Sequence, residues 1–205
     1  MKAAVAILAR APVPGRAKTR LTPPYTPEAA AHVARACLLE TLHRFPRAID
    51  VPFTLFLDGD PDPALIETIR AAGLGLIPQA EGDLGARLAA AFRALRAGSA
   101  ESVVAIGADS PTLDPARIAE AIAALDECDV VLGPADDGGY YLVGARGDRG
   151  GIFDGIPWST GRTLEVTVER ARALGYAVRL LAPHYDIDDA ATLARAEAEG
   201  FTFEA

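Results

Sequence analysis

Short apolar runs alternate with longer amphipathic stretches along most of this 205-residue chain. The short runs have the length of buried strands, and the longer stretches repeat apolar residues at helical spacing. The strands predicted are Ala3–Ala9, Phe53–Leu57, Leu74–Ile77, Ser102–Ile106, Val130–Leu132, Tyr140–Val143 and Val178–Leu181. The helices predicted are Pro27–Phe45, Pro63–Ala72, Leu84–Leu95, Pro115–Leu125, Thr163–Leu174 and Ala190–Glu199.

This alternation predicts an α/β protein with one mainly parallel central sheet and helices on both faces, in three layers. We expect residues 1–205 to form a single domain, because the length suits one domain and half of the residues are hydrophobic. Ligands of such sheets bind at the carboxyl ends of the strands. The residues that follow each predicted strand are therefore the first candidates for a functional site.

The charge balance narrows the class of ligand. The chain has 20 Lys and Arg against 28 Asp and Glu, which gives a formal net charge of −8. Nucleic-acid-binding proteins usually present a basic face, so we expect no nucleic-acid partner. No apolar run is long enough to cross a membrane, and the first residues begin a strand without a signal-peptide pattern. An acidic chain with one basic loop suits a small anionic ligand instead.

The two cysteines and three histidines suggest no metal or catalytic cluster. Cys37 and Cys128 lie far apart and are expected to be buried free thiols, as in a reducing cytoplasm. His32 and His43 are expected on helix surfaces, and His184 lies apart from both. No Ser-His-Asp or Cys-His arrangement points to a covalent intermediate. We therefore expect a cytoplasmic protein, with a homodimer as a possible assembly.

The loop after the first strand concentrates cations. One of the chain's two lysines, Lys18, lies there with Arg10, Arg16 and Arg20, next to Gly15. Lysine offers a phosphate a movable point charge, arginine offers a planar fork, and glycine permits close backbone approach. The loop matches neither a Walker A nor a dinucleotide-binding motif. It is either a phosphate-binding loop, with Arg20 available to pair internally, or a solvated basic turn.

Carboxylates follow two other predicted strands. Asp109 lies just after the buried strand Ser102–Ile106, at a position where Mg²⁺ commonly binds, although Asp109 or Ser110 could instead cap the turn before Pro111. Asp186 and Asp188 alternate by two, so an extended backbone would place both carboxylates on one side. Such clustering is unfavourable without a cation, and a metal shared with Asp109 would resolve it. The alternative is that Asp188 or Asp189 only caps the last helix.

Two further segments could face a ligand. Asp136 and Asp137 precede Gly138 and Gly139, whose backbone could approach a substrate closely, although the same residues suit a plain hairpin turn. Ser159 and Thr160 precede a predicted helix, whose free amides would attract phosphate. Helix capping alone is the alternative for both residues.

Together these segments resemble a known family. The order is Pro-Gly-Arg-x-Lys-Thr-Arg-Leu, Gly-Ala-Asp-Ser-Pro, Asp-Gly-Gly-Tyr-Tyr-Leu, Trp-Ser-Thr and Asp-Ile-Asp. It resembles a bacterial glycosyltransferase-A-like (GT-A-like) family, the selenium/radical-SAM-domain-associated transferase type. That family is similar to the 2-phospho-L-lactate and phosphoenolpyruvate guanylyltransferases, and more distantly to the molybdenum cofactor guanylyltransferases. The resemblance runs from Val5 to Leu193.

The resemblance implies a nucleotide-diphospho-sugar transferase fold and a site for Mg²⁺ (or Mn²⁺). It implies that Asp109, Asp186 and Asp188 hold the metal and that Lys18 meets the phosphates. It places Asp137, Gly138, Ser159 and Thr160, with Gly139 beside them, on the acceptor side. Asp189, Tyr140 and Tyr141 depart from the related guanylyltransferases, so their acceptor does not carry over.

The function predicted is therefore a Mg²⁺-dependent transferase that works by direct displacement. Its donor would be a nucleoside triphosphate or a nucleotide sugar, and its acceptor a small molecule. Lys18, Asp109 and Asp188 would be its catalytic residues. Nucleotidyl and glycosyl transfer both remain open. The alternative class is a nucleotide-binding or sensory module that has the same fold and no turnover.

Overall fold

A computed structural model describes residues 2–203 as one seven-stranded sheet covered by helices. The strands are β1 (Ala3–Arg10), β2 (Phe53–Asp58), β3 (Gly75–Pro78), β4 (Ser102–Gly107), β5 (Val130–Pro134), β6 (Tyr140–Arg146) and β7 (Val178–Leu180). The helices are α1 (Pro27–Ala48), α2 (Pro63–Ala71), α3 (Leu84–Ala97), α4 (Ala116–Ala124), α5 (Thr163–Ala173) and α6 (Ala190–Ala198). Every predicted strand and helix is confirmed, with small shifts at the ends. Two 3₁₀ helices, Thr19–Leu21 and Gly150–Phe153, were not predicted.

The strands lie in the order β3-β2-β1-β4-β6-β5-β7, and the sheet is mainly parallel as predicted. β6 alone runs antiparallel to its two neighbours, β4 and β5. Its reversal has a consequence for the site. The turn that leads into β6 lies at the same edge of the sheet as the carboxyl ends of β1, β2 and β4.

Alternating side chains of the strands build a core on each face of the sheet. Val5 and Ile7 of β1 point into one core, whereas Ala6 points into the other. Helices α1, α2 and α4 contribute to the first core, and α3 and α5 to the second, which gives the expected three layers. A third cluster joins α6 and the segment around Ile187 to the first half of α1. That cluster fixes the acidic segment before α6 against the body of the protein.

Local sequence signals explain where most helices begin. The Thr26 side chain accepts a hydrogen bond from the Ala29 amide at 3.2 Å, and Pro27 follows at the first helical position. Helix α1 continues beyond the predicted end at Phe45 and contains Pro46 in its last turn. Asp189 caps α6 through a reciprocal capping box with Thr192. This confirms the capping alternative for Asp189, whereas Asp188 is left free for other contacts.

The expectations for the two cysteines and for His32 and His43 are also confirmed. Cys37 and Cys128 are buried free thiols, and His32 and His43 are exposed on α1. Within residues 2–203, no helix has both the length and the apolar character needed to cross a bilayer.

Candidate active site

A cleft of about 510 Å³ opens where β1, β2 and β4 end. This volume is in the range of small-molecule ligand sites. Among residues 2–203, five cationic and three acidic side chains line it, so cations are in excess. The charged lining residues are Arg10, Arg16, Lys18, Arg20, Arg87, Asp58, Asp109 and Asp188. The structure thus brings the basic loop and two of the predicted acids together. Gly15 does not line the cleft and instead forms the loop's turn at a φ of 73°.

Lys18 lies at the centre of this arrangement. Its backbone adopts the left-handed conformation (φ 49°), which is uncommon for a residue with a side chain and recurs at ligand sites. Its ammonium is ion-paired with Asp109 and donates a hydrogen bond to the Ile187 carbonyl, and its side chain is only 6% exposed. Burial alone would lower the pKa of Lys18, but the charge and hydrogen bond of Asp109, together with the nearby Cys37 and Asp188, outweigh burial and the pKa is raised. The ammonium is therefore protonated where two acidic segments meet, the one at Asp109 and the one that contains Asp186 and Asp188.

Asp186 and Asp188, in the acidic segment before α6, have different partners. Arg20 Nη1 lies 3.0 Å from Asp188 Oδ2, so Arg20 pairs internally, one of the two roles open to it. Asp186 lies deeper and accepts a hydrogen bond from the Ser110 hydroxyl. Burial raises the pKa of Asp186 to about 6, and the carboxylates of Asp109 and Asp188 add to that effect. Burial also raises the pKa of Asp188.

Asp109 lies close enough to Asp186 and Asp188 for its charge to help raise the pKa of both. No three His, Cys, Asp or Glu side chains within residues 2–203, however, are arranged as a ready-made metal site. Asp109 and Asp188 line the cleft and offer carboxylate oxygens, whereas Asp186 is partly buried and does not line it. Mg²⁺ typically takes one or two carboxylates and completes its shell with water and substrate phosphate oxygens. The donor set therefore fits a divalent cation that is bound together with a phosphate ligand.

The other end of the cleft contains residues that the sequence did not single out. Asp58, at the end of β2, accepts from Arg87 Nη1 at 2.9 Å and from Arg10 Nε at 3.2 Å. The hydrogen bond from Arg87 is the main reason why the pKa of Asp58 is lowered. Arg10 also donates to the Arg16 carbonyl at 3.2 Å, which ties the basic loop to this end. Gln79, directly after β3, donates to the carbonyls of Ala9 and Phe56.

Two of these residues could have been found by the rule that site residues follow the predicted strands. Asp58 directly follows the predicted strand Phe53–Leu57, and Gln79 lies two residues after Leu74–Ile77, much as Asp109 lies three residues after Ser102–Ile106. Arg87 lies within α3 and carries no comparable signal in the sequence.

The predicted acceptor-side residues gather at a neighbouring position. The turn Asp137–Gly139 lies against the start of α5, where Leu164 donates a backbone hydrogen bond to Gly138 at 2.9 Å. Asp137 is close enough to contribute to the raised pKa of Asp188. None of Asp137, Gly138, Gly139, Ser159 and Thr160 lines the cleft itself.

Helix capping by Ser159 or Thr160 is not what the structure shows. Helix α5 begins at Thr163, its N-cap position is Arg162, and no side chain caps it there. Thr160 donates to the Pro157 carbonyl at 2.9 Å and accepts weakly from the Arg162 amide at 3.3 Å. Ser159 has a positive φ of 59°, like Lys18. The segment is therefore a tight turn before the helix rather than its cap.

The sheet order, with its single reversed strand, and the cleft at the carboxyl edge define the class. The chain has the fold of the nucleotide-diphospho-sugar transferases. It is similar to a candidate nucleotide-diphospho-sugar transferase from Desulfovibrio desulfuricans, with 29% sequence identity and a TM-score of 0.82 over 92% of this chain and 84% of that one. The chain belongs to the family described as "Uncharacterized protein conserved in bacteria (DUF2064)", whose model matches residues 41–160.

More distant structures share the fold alone. CMP:2-keto-3-deoxy-manno-octonic acid synthetase complexed with CTP is 14% identical, with a TM-score of 0.60 over 97% of this chain and 98% of that one. Rv0371c of Mycobacterium tuberculosis, in complex with manganese, is 20% identical, with a TM-score of 0.54 over 98% and 100%. No curated protein matches the sequence.

Proposed function

We propose that this protein is a divalent-cation-dependent transferase that uses a nucleoside triphosphate or a nucleotide sugar. The observation that carries the proposal is the place of Lys18. Its buried ammonium touches both acidic segments at the edge where the strands end, in a cleft with more cations than acids. A polyphosphate is the ligand class that needs such an excess of cations beside carboxylates able to share a metal. The CTP-bound and manganese-bound relatives support this choice.

Different residues of the cleft would bind the phosphates, the divalent cation, the nucleoside and the acceptor. Lys18, Arg16 and Arg20 would bind the phosphates, and Lys18 would stabilise the charge that develops on the leaving diphosphate. Asp109 and Asp188 would hold the divalent cation, with Asp186 behind them, and the cation would offset phosphate charge. The end lined by Asp58, Gln79 and Leu84 would receive the nucleoside. A small-molecule acceptor would approach from the side of Asp137 and Thr160, past Asp188.

Direct displacement is the mechanism that this arrangement supports. The charged side chains of the cleft are cations and carboxylates, and its lining holds no Ser-His or Cys-His pair among the described residues. The chain's contribution would be to hold donor and acceptor in line and to stabilise developing negative charge.

A thermal-shift screen tests the binding step. Nucleotides and nucleotide sugars, each with and without Mg²⁺ or Mn²⁺, should raise the melting temperature by mass action when they bind. Asp109→Ala should abolish the metal-dependent part of that shift. The ligand-free variant should still fold, but with a lower melting temperature, because the buried Lys18 ammonium loses its carboxylate and keeps only the Ile187 carbonyl. Asp126→Ala is the matched control, since Asp126 is exposed at the opposite edge of the sheet. An unchanged metal-dependent shift in Asp109→Ala would contradict the proposed site.

A product assay separates the possible reactions. Release of pyrophosphate from a labelled nucleoside triphosphate indicates nucleotidyl transfer, and a nucleoside diphosphate product from a nucleotide sugar indicates glycosyl transfer. Tight nucleotide binding with no metal dependence and no product would instead support the non-catalytic binding module.

A further inference from the structure

All three acids that line the cleft already have a cationic partner from the chain itself. Asp58 pairs with Arg10 and Arg87, Asp109 with Lys18, and Asp188 with Arg20. The two carboxylates best placed for a divalent cation are therefore engaged before any ligand arrives. A metal ion that enters this site has to compete with an ammonium for Asp109 and with a guanidinium for Asp188.

These two competitions differ in strength. Arg20 and Asp188 have side chains that are 66% and 38% exposed, so water screens their attraction and the pair is easily opened. Lys18 is 6% exposed and has a second acceptor, the Ile187 carbonyl, which lies between Asp186 and Asp188. Its ammonium thus binds oxygen atoms from both acidic segments, much as a small bound cation would. If a metal ion took Asp109 away from Lys18 without compensation, the buried ammonium would be left without its carboxylate, which is costly.

The overall charge of the cleft indicates whether a divalent cation or a polyphosphate binds first. With five cations against three acids, the cleft is positive before it binds anything. A divalent cation that entered alone would add to this excess, and its binding is therefore disfavoured. A polyphosphate reverses the sign, offers Lys18 a new anionic partner and releases the Asp109 carboxylate. A divalent cation can then bind both Asp109 and the phosphate oxygens.

We propose that Lys18 is the resident counter-ion of Asp109 in the free protein, and that a nucleotide polyphosphate must displace it before a divalent cation binds. This inference rests on the proposed function, because it assumes that the cleft takes a nucleotide. It makes nucleotide and metal binding cooperative and ordered, with the nucleotide first. By linkage, the metal strengthens nucleotide binding by the same factor.

Mn²⁺ binding to the nucleotide-free protein tests the competition directly. Free Mn²⁺ is counted by electron paramagnetic resonance during titration of the wild type, Lys18→Met and Lys2→Met. Lys18→Met should bind Mn²⁺ about tenfold more tightly than the wild type, a ratio typical of coupling between two ligands. Lys2→Met is the matched control, because Lys2 is the only other lysine, is exposed and gives the same change in net charge. Its Mn²⁺ affinity should equal that of the wild type.

A double variant shows whether the gain arises at Asp109. Lys18→Met combined with Asp109→Asn should return the Mn²⁺ affinity to the weak wild-type level. Equal Mn²⁺ affinity of the wild type and Lys18→Met, or a gain that survives Asp109→Asn, would overturn the inference.

Nuclear magnetic resonance of the wild type provides a measurement that needs no variant. A protein labelled with ¹⁵N at the lysine Nζ atoms should give at most two side-chain signals, because the chain has two lysines. Millimolar Mg²⁺ alone should leave the Lys18 signal in place, and a non-hydrolysable nucleoside triphosphate should shift it in metal-free buffer. A shift produced by Mg²⁺ alone would contradict the proposed order.

The two proposals fail in different ways. If no nucleotide or nucleotide sugar binds with or without metal, the proposed function fails. If nucleotides bind but Lys18→Met leaves the Mn²⁺ affinity unchanged, only the exchange of Lys18 fails.

Discussion

Arg87 Nη1 lies 2.9 Å from Asp58 Oδ2, and this pair joins α3 to the end of β2 inside the wall of the cleft. The same carboxylate oxygen also receives Arg10 Nε at 3.2 Å, and Arg10 in turn holds the backbone of the basic loop through the Arg16 carbonyl. Asp58 therefore connects the position of the loop to that of α3. Within residues 2–203, neither Asp58 nor Arg87 forms an ion pair with Lys18 or Asp109, so their effect on a ligand would pass through the loop.

Asp58→Asn should weaken nucleotide binding without unfolding the protein. The charge that holds Arg10 and Arg87 together would be lost, and the basic loop would lose part of its support. Partly exposed ion pairs are worth about 1 kcal/mol, which corresponds to roughly fivefold in affinity. Isothermal titration calorimetry with the best nucleotide from the screen measures this change. Glu67→Gln, which breaks the exposed pair with Arg70 on α2, should leave the affinity unchanged.

Gly138→Ala should destabilise the fold far more than an ordinary glycine substitution. A β-carbon at Gly138 would overlap the backbone carbonyl of Gly161, and Gly138 also has a φ of 86°. Gly155 is the matched control, since its φ is 72° and a β-carbon there would meet nothing within 4 Å. We expect Gly155→Ala to cost about 1–2 kcal/mol from backbone conformation alone. Gly138→Ala should cost about 2–3 kcal/mol more from the overlap, as measured by urea unfolding.

The stability of the ligand-free protein should depend on the ionisation of Asp186. Burial raises its pKa to about 6, so the folded state favours the protonated acid more than the unfolded state does. The resulting stabilisation is fully present below the unfolded pKa, near 3.9, and is lost as the pH rises through about 6. Above that pH the buried charge is a net cost.

Asp186→Asn should therefore raise the free energy of unfolding by about 1–3 kcal/mol at pH 8, since one pKa unit is worth about 1.4 kcal/mol. The difference from the wild type should vanish near pH 4. Urea unfolding of metal-free and nucleotide-free protein across this range checks the prediction. Asp50→Asn, at an exposed position before β2, should show no such pH dependence. A difference that is constant with pH would show that ionisation is not the cause.

Trp158 should report ligand binding through its fluorescence. It is the only tryptophan of the chain and contacts the start of α3, where a β-carbon at Gly85 would lie 2.8 Å from its Nε1 atom. Gly82 and Leu84, just before Gly85, line the cleft. A ligand that presses on this segment should change the emission intensity or maximum of Trp158. A ligand that binds by thermal shift and leaves the emission unchanged would contradict this connection.

Much of this architecture could be predicted from the sequence, because it depends on local patterns. Buried strands such as Ser102–Gly107 appear as apolar runs, and the rule that ligands bind at the carboxyl ends of strands selects Lys18 and Asp109. The reversed direction of β6 is also within reach of the sequence, since the connection between β5 and β6 suits a hairpin and is too short for a parallel crossover. The predicted start of α5 at Thr163 is confirmed, but the capping role suggested for Ser159 and Thr160, which are good capping residues in general, is not. Here they form the turn before the helix.

The partners of the charged residues lay beyond the reach of the sequence. Arg87 meets Asp58 across 29 positions, and Lys18 meets Ile187 across 169. Nothing local distinguishes these side chains from other arginines or from a solvated lysine. Their pairing depends on the order of strands in the finished sheet.

The reversal of β6 divides the edge of the sheet into two halves, one built by parallel strands and one built by a hairpin. The basic loop and Asp109 follow the parallel strands β1 and β4, whose spacing is set by both cores, whereas Asp137 lies in the hairpin between β5 and β6 beside them. Substitutions or insertions in that hairpin would alter what can approach Asp188 and leave the parallel half undisturbed. Related chains could thus diversify one reactant while keeping the machinery for the other.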